Sequence, residues 1–122
     1  MDALDIRLDE VTPERVKATM PVGPKVHHPF GLLHGGASVA LAETVASVGA
    51  AANLDLSKTR AVGLEINANH IRGKRSGTVT ATATPLHRGR STQVWAVEIH
   101  DEAGKLICTS RCTLAIVSAP DK

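Results

Sequence analysis

One acid stands in a stretch of twenty residues that carries no other charge: Glu43, within GGASVALAETVASVGAAANL at residues 35–54. A carboxylate among Ala, Val and Leu is costly to desolvate unless something pairs with it or uses it. Two readings follow. The acid is structural and meets an Arg or Lys from a neighbouring element, because ion pairs within a fold also perturb carboxylates. Or it is chemical, a base or nucleophile held in a dry site. Ser47, at i+4, shares its helix face and is placed to hydrogen-bond the acid or a water beside it. Ala42 and Ala46 crowd it little, which leaves room for a ligand.

Gly35 and Gly36 open this stretch, and His34 precedes them. The first N–H groups of a helix have no intrahelical partner and carry the positive end of its dipole. Glycine lets a ligand oxygen approach them closely. A flexible helix entry is the plainer alternative, but His34 before and Glu43 after favour an oxyanion-binding terminus. His27, His28 and His34 match no standard metal-ligand spacing, and His70 is distant in sequence, so no metal is expected. His70 closes an apolar strand face, where a lone histidine is usually a satisfied core residue or a neighbour of a site. Ser38, Ser47 and Ser57 lie in no nucleophile-elbow context. Arg72, Lys74 and Arg75 cluster in one connection, Arg88 and Arg90 in another. These are solvated turns or, if the two meet, a phosphate site.

The elements that must position these groups are legible as periods. The stretch 35–54 is apolar on every face and predicts a helix buried on all sides. A membrane span is the alternative. A central Glu would cost it ~2.5–3.5 kcal/mol, small residues replace the usual Leu and Ile, and flanking anchors are lacking. Upstream, Leu4, Ile6 and Leu8 alternate with Asp5, Arg7 and Asp9, and Val16, Ala18 and Met20 with Arg15, Lys17 and Thr19. A break at Thr12-Pro13 separates them. Two half-buried strands joined by a tight turn fit this period. Downstream, Val62, Leu64, Ile66, Ala68 and His70 share one face. Val79, Ala81 and Ala83 alternate with threonines, Trp95, Val97 and Ile99 with Val94 and Ala96, and 106–117 is the longest run. The links at 72–77, 87–90 and 101–104 are short, which predicts successive antiparallel hairpins. The expected architecture is α+β: two strands, one helix and a four-stranded meander, the curved sheet wrapping the helix and a partner subunit covering the rest.

Composition sets the outer bounds. A chain of 122 residues is expected to be one domain, 1–122. With 43% apolar and 21% charged residues it is neither a disordered tail nor a fibre. Aromatics are 2%, Trp95 and Phe30, so a stacking platform for single-stranded nucleic acid is excluded. A net charge of +2 is too small to argue for nucleic acid or an anionic membrane. Asp2 and Asp5 occupy the place of a basic n-region, so no signal peptide is expected. Cys108 and Cys112, four apart in a strand, would lie ~13 Å apart, beyond the ~7 Å that a disulfide spans. They read as reduced core residues of a cytoplasmic protein.

Three blocks together, PFGLLHGGASVALAE at 29–43, VGLEINANHIR at 62–72 and PLHRGRSTQVW at 85–95, resemble the hotdog-fold acyl-CoA thioesterases that carry Glu in the central helix. Within that family the likeness is greatest to the bacterial 1,4-dihydroxy-2-naphthoyl-CoA thioesterases of menaquinone biosynthesis. The phenylacetate-pathway and 4-hydroxybenzoyl-CoA thioesterases come next. The resemblance implies a catalytic carboxylate at Glu43 and polarisation of the thioester carbonyl by the N–H at Gly35, with Gly36 following and His34 beside it. It implies that Ser47 helps place water or the acid and that His70 borders the ligand. The basic loops with Arg72, Arg88, Gly89 and Arg90 would contact the CoA nucleotide. Phe30, inside the first block, is expected to touch the substrate. Relatives commonly carry Gln six residues before the histidine of the HGG motif; here His28 stands there.

The expected activity is therefore hydrolysis of an acyl-CoA, with an aromatic acyl group such as 1,4-dihydroxy-2-naphthoyl and no metal or redox cofactor. Glu43 acts as nucleophile or as general base. A hotdog-fold acyl-CoA hydratase or dehydratase is the alternative within the fold, and a noncatalytic acyl-CoA binding protein the alternative outside catalysis. Gly35 and Glu43 sit ~12 Å apart along one helix at ~1.5 Å per residue, too far to act on one carbonyl. A dimer is then the minimum unit, each site taking Gly35 from one copy and Glu43 from the other, with a tetramer expected.

Overall fold

The computed structural model describes residues 3–120. Strands β1 (Arg7–Val11) and β2 (Val16–Val22) lead through a short 3-10 turn, Pro24–Val26, to the helix α1 (Gly35–Ala51). Strands β3 (Thr59–His70), β4 (Gly77–Arg88), β5 (Thr92–His100) and β6 (Leu106–Ser118) follow. All six strands form one antiparallel sheet in the order β1-β2-β4-β5-β6-β3. The sheet curls about α1, which touches β2, β3, β4, β5 and β6.

The alternations upstream of β3 and from β4 onward resolve as their periods predict. Val16, Ala18 and Met20 of β2, Val79, Ala81 and Ala83 of β4, and Trp95, Val97 and Ile99 of β5 are fully buried. They meet Leu41, Ala42, Val45, Ala46 and Ala50 of α1, so the core is aliphatic around a single aromatic ring. That ring sets the helix-to-sheet distance. A Cβ on Gly49 would lie 2.6 Å from Trp95, so the helix approaches the indole only because position 49 has no side chain. Gln93 is buried beside it and accepts the indole N–H at 2.8 Å.

Four expectations are corrected. β3 and β4 are not a hairpin: β3 pairs with β6 at the sheet edge, and β4 pairs with β2 and β5. The expected meander is therefore only β4-β5-β6. Link length could not show this. Crossing three strand spacings takes about 14 Å, and the link 71–76 reaches about 20 Å when extended. The face expected for Val62, Leu64, Ile66, Ala68 and His70 is broken by a bulge between Gly63 and Glu65. One extra residue reverses which side chains point inward. Ile66 and Ala68 pack on the core, while Val62 and Leu64 are 50% and 62% exposed. β1 begins at Arg7 instead of Leu4 and is largely exposed, because Asp5 turns the chain at φ 58°. The helix ends at Ala51, short of Leu54, where Asn53 folds its amide back onto the Gly49 carbonyl at 2.9 Å and onto Pro13 at 2.9 Å.

The helix is also not buried all round. Ser38, Leu41, Ala42, Val45, Ala46, Gly49 and Ala50 face the sheet, but Gly36 and Glu43 are exposed and Ala40, Thr44 and Ser47 half-buried. The curved sheet buries one side of the helix, and the opposite stripe stays open in a single chain. Among the described residues no helix is long and apolar enough to cross a membrane.

Candidate active site

The start of α1 is a structured junction. Residues 27–33 fold back on themselves, with His27 bridging Leu33 and the His28 N–H donating to the Leu32 carbonyl at 2.9 Å. Gly31, at φ 81°, makes the reversal possible and leaves Phe30 at its tip, 85% exposed and edge-on to His28. The link 71–76 crosses over this hairpin. The Leu33 N–H donates to the Lys74 carbonyl at 2.8 Å, and the His27 Nε2 hydrogen-bonds the Arg75 carbonyl at 2.7 Å. The crossover that the sequence did not reveal is thus what carries Arg72 over the helix start.

His34 is the N-cap. Its Nδ1 accepts the Gly36 N–H at 2.8 Å, which leaves the ring proton on Nε2 when the ring is neutral. No hydrogen bond from the described residues reaches the Gly35 N–H. Of the two glycines, Gly35 therefore presents the donor and Gly36 has spent it. His70 lies against Gly35: a Cβ there would be 3.0 Å from its Nε2. Around these two residues opens a cleft of about 340 Å³ lined by His28, Leu32, Ser38, Ile71, Arg72 and Ile107. Gly35, His28, His70 and Arg72, expected at the site from sequence, are thus brought together.

Other expected residues are not. Glu43 is two turns along α1 and exposed, where sequence predicted a desolvated acid. It accepts no hydrogen bond from the described residues, and none joins it to Ser47, which is half-buried on the same side. Its carboxylate rests against β3, where a Cβ on Gly63 would come within 2.8 Å of Oε2. Burial pushes the Cys112 thiol of β6 up to about 11, and the Glu43 and Glu65 carboxylates add to that rise. Arg88 and Arg90 lie at the opposite end of the helix, about 25 Å from its start for 17 residues. Arg88 there donates to the Asn53 side-chain oxygen at 3.2 Å. The two basic connections do not meet within one chain. Gly89 serves the β4–β5 turn: its N–H donates to the Thr92 carbonyl at 2.8 Å, and a Cβ would strike His87. Phe30 is not among the residues that line the cleft. His27, His28 and His34 each bond separate partners, and no group of three metal-type ligands gathers among the described residues.

Three groups were not expected at the site from sequence, Ser38 being weighed there only as a nucleophile. Ser38 is 2% exposed and lines the cleft, one turn beyond Gly35. Gly63 makes room for the Glu43 carboxylate, and a glycine inside a strand is the signal that marks such a close approach. Glu102, in the β5–β6 turn, accepts the Thr78 N–H at 2.8 Å and pairs with Lys74. The Lys74 hydrogen bond, above all, holds its carboxyl at about 2. It thereby pins the link that carries Arg72.

Known proteins place this arrangement. The Thioesterase superfamily profile matches residues 30–108. A 1,4-dihydroxy-2-naphthoyl-CoA hydrolase of Escherichia coli is 50% identical over 114 residues, covering 93% of this chain and 83% of that protein. A Bacillus subtilis relative that carries only an esterase designation, ComA2, is 54% identical over 117 residues, covering 96% and 93%. A variant of the thioesterase PA1618 from Pseudomonas aeruginosa, solved by crystallography, superposes with a TM-score of 0.93 at 49% identity, covering 96% of this chain and 84% of that one. The helix wrapped by a six-stranded antiparallel sheet is the hotdog fold, and this chain is a thioester hydrolase belonging to the thioesterase superfamily.

Proposed function

We propose that the protein hydrolyses an aromatic acyl-CoA, 1,4-dihydroxy-2-naphthoyl-CoA first among them, to the free acid and CoA, as a step in menaquinone biosynthesis. The observation that carries the reading is the Gly35 N–H, unpartnered at the positive end of α1 and opening on a cleft that holds His28, His70 and Arg72. The names of relatives at 52% and 50% identity support the acyl group.

In this reading the Gly35 N–H polarises the thioester carbonyl and holds the oxygen as it becomes negative. Glu43 either attacks the carbonyl carbon, expelling CoA thiolate and leaving an anhydride that water opens, or takes a proton from the attacking water. Both routes need only water besides the substrate. His70 and Ser38 flank the carbonyl, His28 borders the thioester, and Ser47 positions water near the acid. Because Gly35 and Glu43 lie two turns apart on one helix, this reading takes them from different subunits. The open stripe of α1 and the edge strand β3, with Val62 and Leu64 exposed, are the surfaces a second copy would cover. An antiparallel second helix sets its Glu43 opposite the first Gly35 and dries both. It also brings Arg88, Gly89 and Arg90 of one copy toward the end where Arg72 of the other lies, which reunites the basic groups around the nucleotide. Free, buried Cys108 and Cys112 suit a reducing cytoplasm.

The test is thiol release from a panel of acyl-CoAs. The wild type turns over aromatic acyl-CoAs fastest, and Glu43→Gln loses at least ~10²-fold in kcat with its unfolding transition kept. Near-wild-type turnover by Glu43→Gln would remove the carboxylate from the mechanism.

A further inference from the structure

Three polar side chains are buried among the described residues: Ser38, Gln93 and Ser110. Gln93 accepts the Trp95 indole N–H at 2.8 Å, and Ser110 donates to the Asn67 carbonyl at 2.7 Å. Ser38, 2% exposed, has no side-chain hydrogen bond among the described residues. Thr44, on the same helix, turns its hydroxyl back onto the Ala40 carbonyl at 2.7 Å, and Ser38 makes no such bond. No fully enclosed side-chain oxygen or nitrogen among the described residues lacks a partner. The Ser38 hydroxyl is therefore not sealed in. Its small exposure falls at Oγ and opens on the cleft that the residue lines with Gly35 and His70. A buried hydroxyl left unpaired is costly, and an acceptor brought by a ligand relieves that cost.

We propose that Ser38 is a catalytic residue whose Oγ–H is a second donor to the thioester carbonyl oxygen, beside the Gly35 N–H. This rests on the thioesterase reading of the helix start. Ser38 stands at i+3 from Gly35, on the same helix face, and helical side chains lean toward the N-terminus over the preceding turn. The Ser38 hydroxyl thus leans toward the end that presents the Gly35 N–H, and no side chain at position 35 stands between them. Gly36 cannot be the second donor, because its N–H is held by His34 at 2.8 Å. A hydroxyl proton rotates to suit its acceptor, so it follows the oxygen as the carbon passes from trigonal to tetrahedral. Two donors on one rigid turn then hold the oxygen as it becomes negative. Attack by Ser38 itself would need a base beside it. The Nδ1 of His28 takes the Phe30 N–H at 3.0 Å, and the Nδ1 of His34 takes the Gly36 N–H. Both neutral rings then carry their proton on Nε2 and keep no lone pair to accept another. No hydrogen bond joins Ser38 to His70. The hydroxyl is left to donate to the substrate, and the attack to Glu43 or water.

Ser38→Ala and Ser38→Cys test this together. Ala is the best helix former, so the fold is kept; Cys keeps the side-chain volume but offers only a weak S–H donor. With benzoyl-CoA, both variants should lose ~10²-fold in kcat with KM little changed, the pattern of an interaction that strengthens in the transition state. The carbonyl itself gives a second readout. Phenacyl-CoA places a methylene between carbonyl and sulfur and cannot be hydrolysed; phenethyl-CoA has no carbonyl. By infrared difference spectroscopy, the carbonyl stretch of bound phenacyl-CoA should lie lower in the wild type than in Ser38→Ala, while phenethyl-CoA binds both proteins equally. An unchanged kcat in Ser38→Ala, a Ser38→Cys variant as active as wild type, a rise in KM alone, or one carbonyl frequency in both proteins would overturn the proposal. Failure of the thioesterase reading is distinct: the wild type would then release no thiol from any acyl-CoA, and the carbonyl stretch of bound phenacyl-CoA would still decide whether Ser38 donates. A wild type that does not bind phenacyl-CoA would overturn both.

Discussion

Replacing His34 by Ala removes the acceptor of the Gly36 N–H, a 2.8 Å bond that caps α1. Loss of an N-cap costs about 1 kcal/mol, within about 0.5–2. For a chain of 122 residues that lowers Tm by about 3–6 °C. His34→Asn separates the cap from the imidazole, because Asn is among the best N-cap residues but cannot shuttle a proton at neutral pH. Thermal unfolding followed by circular dichroism should show His34→Ala below wild type and His34→Asn restored to within about 2 °C. Turnover should follow the cap. With the helix start rebuilt, kcat of His34→Asn is expected within about tenfold of wild type, whereas a lost proton-transfer group would cost ~10²–10⁴. A stable His34→Asn with kcat in that lower range would refute the positional role and make the ring a participant. An unaltered Tm in His34→Ala would show that the cap does not hold the helix.

Two further substitutions probe the frame around the site. Gly49→Ala, which in an ordinary helix gains about 1 kcal/mol, should lose about 1–3 kcal/mol here because its Cβ would meet Trp95 at 2.6 Å; urea unfolding with no loss would show that the helix lifts off the indole freely. Glu102→Gln addresses pH. The Glu102 carboxyl falls from 4.5 to about 2 on folding, so its contribution to stability is present above about 4.5 and is lost as the pH drops toward 2. The Gln variant should be less stable than wild type at pH 7, the gap closing between pH 4.5 and 2, and should show a raised KM through the loosened Arg72 link. A gap that stays constant with pH would refute the clamp.

What could be read from the chain followed what the residues themselves encode. The helix, the inward faces of β2, β4 and β5 and the junction at His34-Gly35 arise from period and cap chemistry, which are local. The strand order was not legible, because a short link between antiparallel strands fits a neighbour or a crossing three strands away equally well. The bulge at Leu64 was hidden for a similar reason: the alternation at Val62–His70 continues in sequence while the backbone slips by one residue. Glu43 was expected in a dry setting because the helix is apolar all round. In one chain the stripe bearing Glu43 is exposed, and the proposed dimer is what would cover it. Arg72 and Arg88 are distant within the chain, and the proposed dimer would bring them together across its two-fold axis.

The shared site is the centre of this account, and complementation between two dead variants tests it. Glu43→Ala lacks the acid. Gly35→Pro lacks the N–H but keeps a helix start, since proline suits the first helical position and His34 before it is extended at φ −69° and ψ 133°. Each is expected to be inactive, folded and dimeric alone. Refolded together in equal amounts, about half the dimers are mixed and each holds one intact site, so about a quarter of wild-type thiol release should return. A mixture that stays inactive while both parents remain folded and exchange subunits would contradict a site built from two copies.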